Sequence, residues 1–214
     1  MSQLSSRSVV VLRLAAIASL GACTIEAVRP AAAPPPPTQA ATPAAPPPGP
    51  APPAAPTALQ HVSLQSLNFP DQYMRHCSGL GFIDNNLKGN GACNPAVYRQ
   101  DVTFSIVPGL AGGTSISIES VNYPGSFLRH QNGRIKLAKN DGSPLFKLDA
   151  SFDRVAGLGG RETSFRSVNY PDHYIRHCSA KLYIDRNDGS NKDCDPNDAV
   201  YRSDATFKLV AGLF

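Results

Sequence analysis

Between residues 61 and 214, apolar and polar side chains alternate in short runs, and the runs return three times. "VSLQSLN", "ISIESVN" and "TSFRSVN" alternate with period two, as half-buried strands do. Each is followed by a nine-residue segment: "NFPDQYMRH" from Asn68, "NYPGSFLRH" from Asn122 and "NYPDHYIRH" from Asn169. Each unit closes on an aspartate that opens another alternating run: "DVTFSIVPGL", "DASFDRVAGL" and "DATFKLVAGL". Between these, "SFLRH" and "RIKLA" flank "QNG", where Asn132-Gly133 suits a tight hairpin turn. No stretch carries a convincing helical period.

The repeats run over residues 61–112, 113–160 and 161–214, with about four short strands in each. Twelve strands in three copies predict an all-β fold, a β-trefoil in which three repeats share one core. A three-bladed propeller or a sandwich would take the same number of strands; three similar units favour the trefoil. The folded region, 59–214, is large enough for one domain of ordinary size.

The N-terminus reads differently. Arg7 and Arg13 flank an apolar run too short and interrupted to span a bilayer, and "LGAC" ends it at Cys23. This resembles the bacterial lipobox. It implies a signal peptide over 1–22, lipidation of Cys23, export and anchoring to a bacterial membrane, at the outer membrane or cell surface. An ordinary signal peptide with a chance cysteine is the alternative. Residues 23–58 form a Pro/Ala-rich disordered tether; 13 of the 20 prolines fall between Arg29 and Ala58. Such a segment has no apolar face to bury and stays extended.

With Cys23 set apart, Cys77, Cys93, Cys178 and Cys194 remain in an exported domain, where disulfides persist. Cys77 and Cys93 are 16 apart, as are Cys178 and Cys194, and each pair starts just after an Arg-His. Repeat 2 has no cysteine and the shortest loop. The expectation is two bridges, each within one repeat. Zinc held by His76, Cys77 and Cys93 is the rival, disfavoured by export and by the lack of a CxxC-type pair. The acidic stretch after Asp185 raises calcium, but Gly189 falls one place early for an EF-hand loop. No metal or other cofactor is expected. The net charge of +4 is spread without a basic block, which gives no footprint for nucleic acid. Trp is absent, so any stacking surface must use Tyr or Phe.

The three Asn-aromatic-Pro…Arg-His segments, the three Asp-x-(Ser/Thr)-Phe segments and the "NDGS" of two copies resemble the AbfB domain. This is the carbohydrate-binding module of α-L-arabinofuranosidase B enzymes, and the likeness covers residues 61–214. It implies a β-trefoil that binds arabinofuranose side chains of arabinoxylan and arabinan. By position, the sugar ligands would be His76, Asp101 and Phe69 in repeat 1; His130, Asp149 and Tyr123 in repeat 2; and His177, Asp204 and Tyr170 in repeat 3. A carboxylate accepts strongly from hydroxyls, an imidazole both donates and accepts, and an aromatic ring covers a sugar's C–H face. Without the likeness, Arg75, Arg129 and Arg176 could pair with the closing aspartates as structural bridges, leaving the histidines at the surface.

Glycoside hydrolysis needs two positioned carboxylates, one of them protonated. One carboxylate repeated three times offers equivalent pockets instead, and signal and tether occupy the place of a catalytic domain. The expectation is a monomeric binding module without catalytic residues or hydrolase activity. It would meet an arabinose-containing polysaccharide, and a membrane only through its lipid. The alternatives are arabinofuranosidase activity within the fold, or a surface adhesin for another glycan or protein.

Overall fold

The computed structural model describes residues 59–86 and 93–214. The expected signal at 1–22, the lipidation site Cys23 and the tether at 23–58 lie outside the described residues.

Among the described residues, twelve strands form one antiparallel sheet. Repeat 1 supplies β1 (Leu59–Ser66), β2 (Tyr73–Cys77), β3 (Leu80–Asp84) and β4 (Thr103–Pro108). Repeat 2 supplies β5 (Ile116–Ser120), β6 (Ser126–Gln131), β7 (Arg134–Lys139) and β8 (Phe152–Ala156). Repeat 3 supplies β9 (Thr163–Ser167), β10 (Tyr174–Cys178), β11 (Lys181–Asp185) and β12 (Phe207–Ala211). The β6–β7 turn places Asn132 and Gly133 at φ 53° and 76°, the left-handed pair that a two-residue hairpin requires.

The β-trefoil expectation is corrected: the strands close into an antiparallel β-barrel. β1 pairs with β4 and β12, β5 with β4 and β8, and β9 with β8 and β12. β3, β7 and β11 also pair with one another. The long registers that join repeats, β4–β5 and β8–β9, cross repeat boundaries, and β12 returns to β1. Strand edges left open by one repeat are satisfied by the next, so the repeats do not stand as separate leaves. Repetition along the chain reports how many strands there are, not how their edges pair.

Inside the barrel, the apolar halves of the alternating runs meet: Leu64, Ile118 and Phe165 from the first strands, and Phe104, Phe152 and Phe207 from the last. Each such side chain contributes about 1.5–3 kcal/mol by leaving water. At one position of the second hairpin strands, Ile135 and Leu182 fill the centre. A Cβ on the matching Gly81 would lie 3.0 Å from Ile135 and 3.2 Å from Leu182. The polar halves do not simply face solvent. Ser63, Ser117 and Ser164 are fully buried, and their hydroxyls accept from the backbone N–H of Leu213, Leu110 and Leu158.

Among the described residues, three short α-helices, absent from the sequence expectation, precede the last strand of each repeat: α1 (Tyr98–Asp101), α2 (Pro144–Asp149) and α3 (Asp198–Asp204). Four to seven residues are too few to show a helical period. All three end on the closing aspartate. Cys77–Cys93 and Cys178–Cys194 form disulfides, with Cα–Cα distances of 5.5 and 4.8 Å. Neither thiol of repeat 1 is therefore free for zinc. Repeat 2 holds the same region with an apolar cluster of Phe127, Phe146 and Ala150, against which Ala138 packs.

Candidate functional site

The second strand of each repeat aims its Arg and His at the closing aspartate. Arg75 is fully buried. Its Nη1 donates to Asp84 at 2.5 Å, and its Nη2 donates to Asp101 at 3.1 Å and to the Asn94 carbonyl at 2.7 Å. Arg176 repeats this with Asp185, Asp204 and the Asp195 carbonyl. In repeat 2 the register places Ala138 where Asp84 and Asp185 stand. Arg129 accordingly has one carboxylate partner, Asp149, at 2.5 Å. A carboxylate at a helix C-terminus meets the unfavourable end of the helix dipole, and the guanidinium offsets it. The structural bridge weighed from sequence thus exists. The histidines, however, are not left at the surface: His76, His130 and His177 are 3–4% exposed.

Each histidine is held by the following repeat. His76 Nε2 lies 2.9 Å from Asn122 Oδ1 and 3.0 Å from Ser120 Oγ, while Asn122 Nδ2 donates to Asp101 Oδ1 at 2.9 Å. His130 is bridged to Asp149 by Asn169 in the same way. His177 is bridged to Asp204 by Asn68, which closes the ring onto repeat 1. Because the amide nitrogen faces the carboxylate, the amide oxygen faces the ring, so Nε2 carries the proton and donates. Burial lowers the pKa of all three histidines, outweighing the nearby aspartate at His76 and His177, and brings His177 down to about 4. The rings are therefore neutral near pH 7. In His76 and His177, Nδ1 then keeps a lone pair 3.7 and 3.5 Å from Asp101 Oδ1 and Asp204 Oδ1. Two acceptors side by side match two neighbouring hydroxyl donors.

The aromatic residues also cross the repeat boundary. Tyr123 meets His76 edge-to-face at 5.4 Å, Tyr170 meets His130 at 5.3 Å, and Phe69 meets His177 at 5.4 Å. The sets expected within single repeats are regrouped accordingly: His76–Asp101–Tyr123, His130–Asp149–Tyr170 and His177–Asp204–Phe69. The three rings are 44–55% exposed, so each offers surface to a ligand. A cavity of about 460 Å³ contains His76, Asp101 and Tyr123; one of about 540 Å³ contains His177, Asp204 and Phe69. A third of about 460 Å³ contains His130 and Tyr170, but Asp149 does not line it. Sequence reasoning missed Asn68, Asn122 and Asn169, and with them Ser66, Ser120 and Ser167. The signal was present as Ser-x-Asn before every aromatic-Pro, and it reads as turn chemistry until the fold is known.

Among the described residues, no group of three or more His, Cys, Asp or Glu side chains is arranged to hold a metal ion, and no helix is long and apolar enough to cross a membrane.

The family profile of the Alpha-L-arabinofuranosidase B (ABFB) domain matches residues 52–105 and 90–209. An extracellular exo-alpha-(1->5)-L-arabinofuranosidase of Streptomyces avermitilis is 40% identical over 97 residues, which are 45% of this chain and 18% of that enzyme. A GH54 a-l-arabinofuranosidase mutant soaked with 4-nitrophenyl a-l-arabinofuranoside superposes with TM-score 0.64 at 28% identity, covering 78% of this chain and 33% of its own. An arabinofuranosidase complexed with arabinofuranosyl-alpha-1,2-xylobiose gives TM-score 0.64 at 29% identity, covering 72% of this chain and 31% of its own. The chain thus spans a fifth to a third of these proteins. The expectation of a module set apart from hydrolase activity is corrected by these likenesses: the proteins it resembles are themselves arabinofuranosidases.

Proposed function

The chain belongs to the Alpha-L-arabinofuranosidase B (ABFB) domain family, and on that premise we propose that it binds α-L-arabinofuranose side chains of polysaccharides such as arabinoxylan and arabinan. The observation that carries the reading is the imidazole whose Nδ1 lies beside a carboxylate and whose ring meets an exposed aromatic ring edge-to-face, built at His76 with Asp101 and Tyr123 and again at His177 with Asp204 and Phe69. Neighbouring sugar hydroxyls donate to the histidine and aspartate acceptors, while the ring covers the C–H face. The solved relatives holding an arabinofuranoside or an arabinofuranosyl-xylobiose support the same ligand class. Several weak pockets on one rigid barrel gain avidity for a branched polymer.

Affinity electrophoresis tests the proposal. The protein is expected to be retarded in gels containing arabinoxylan or arabinan, and less so after Tyr123→Ala or Phe69→Ala, exposed positions that leave the core intact. Migration equal in gels with and without polymer overturns it. The relatives' names favour a second reading, arabinofuranosidase activity, which release of arabinose from the same polymers measures.

The export signal, the lipid on Cys23 and the tether over 23–58 belong to this proposal as its means of presenting the domain outside the cell. The extracellular relative supports export. Metabolic labelling with palmitate, expected on the parent chain and absent from Cys23→Ser, checks the anchor.

A further inference from the structure

The cavity at His130 differs from its two counterparts in what the next repeat brings to it. Four residues after the bridging asparagine stands His173, where the other two cavities have Ser126 and Gln72. His173 Nδ1 donates to Asp172 Oδ1 at 2.7 Å, and its ring stands edge-to-face to Tyr170 at 5.5 Å. With Nδ1 engaged by Asp172, Nε2 is the polar atom of the ring that remains to meet a ligand hydroxyl. Asn191 lines the same cavity from the loop closed by Cys178–Cys194. Its Oδ1 accepts from the backbone N–H of Asp193 at 3.1 Å, and among the described residues its Nδ2 donates to no partner. A pentose has ten non-hydrogen atoms. Even at about 30 Å³ for each, the share of a water in the liquid, it needs at most about 300 Å³, against about 460 Å³ in the cavity.

We propose that His173 and Asn191 form a second subsite of the His130 pocket, which holds the neutral sugar to which the arabinofuranose is attached. This pocket then selects a branched oligosaccharide over a lone arabinofuranoside, while the other two, which lack His173, discriminate less. The inference rests on the arabinofuranose reading above.

An NMR titration of the whole protein tests it, with the backbone amide of Gly133, in the wall of this cavity, as a reporter that ignores the other two pockets. Methyl α-L-arabinofuranoside and arabinofuranosyl-xylobiose are the two probes. Losing one hydrogen bond to a polar group corresponds to about tenfold in affinity. The parent should therefore bind the branched probe about tenfold more tightly or better, and the ratio should fall towards one in His173→Ser and in Asn191→Ala. A ratio near one in the parent, or one unchanged in both variants, overturns the second subsite and leaves arabinofuranose binding standing. No response to either probe at any of the three pockets overturns both.

Discussion

Asn122 joins two groups that the chain places 25 residues apart: its Oδ1 accepts from His76 and its Nδ2 donates to Asp101. Removing the amide leaves a buried ring N–H and a carboxylate oxygen without it. Asn122→Ala should therefore cost about 1–3 kcal/mol, read as a lower urea midpoint at unchanged slope. The histidines make a separate prediction about pH. Their folded pKa values lie below the ordinary 6.5, with His177 at about 4. The unfolded chain takes up protons first as pH falls, so the stabilisation is complete above pH 6.5 and is lost between 6.5 and 4, at about 1.4 kcal/mol per pH unit for each fully shifted group. Melting temperature at fixed ionic strength should fall from pH 6.5 to pH 4.5; an unchanged value contradicts the neutral, buried state. The exposed Asp141, Asp172, Asp188 and Asp193 sit below their ordinary 3.8, so their contribution fades only at lower pH. The histidines and closing aspartates were legible in the sequence because repetition marked them. Their partners were not: Phe69 stands seven residues before His76, yet its ring packs on His177. Proximity along a strand says nothing about which neighbouring repeat a side chain faces.

Alternation along a strand exposes period two directly, so the hairpin around Asn132-Gly133 was legible. The helices that carry Asp101, Asp149 and Asp204 were not, because each is shorter than two helical turns. The elements also show two ways of holding the same site. Repeats 1 and 3 clamp a buried arginine between two aspartates beside a disulfide. Repeat 2 has neither the disulfide nor the second carboxylate, and Phe127, Phe146 and Ala138 pack together instead. Ala138 in place of an aspartate was visible in the sequence, but its meaning depends on the register opposite Phe127. Arg176→Ala strands Asp185 and Asp204 in a buried setting and should cost about 3–5 kcal/mol. Replacing Cys178 and Cys194 together by Ser should cost about 3 kcal/mol through the entropy of the freed loop. Guanidinium melts at pH 7 measure both, and a loss under 1 kcal/mol in the arginine variant contradicts the clamp.

Across the whole barrel, no repeat owns a complete pocket. Histidine and aspartate come from one repeat, asparagine and aromatic ring from the next, and the set from repeat 3 is completed by residues 68 and 69 of repeat 1. Closure of the barrel is thus a condition for all three sites. The sequence foretold three equivalent units and their strands, while edge pairing between repeats, a property of the closed sheet, joined them into a barrel. A ligand that enters these pockets must touch the bridging asparagines or the groups they hold. Titration of the ¹⁵N-labelled protein with methyl α-L-arabinofuranoside tests this most directly, observed at the side-chain amides of Asn68, Asn122 and Asn169. Saturable shifts at these amides, lost at Asn122 in Tyr123→Ala, are the expected result; amides that stay fixed throughout would contradict arabinofuranose recognition between repeats.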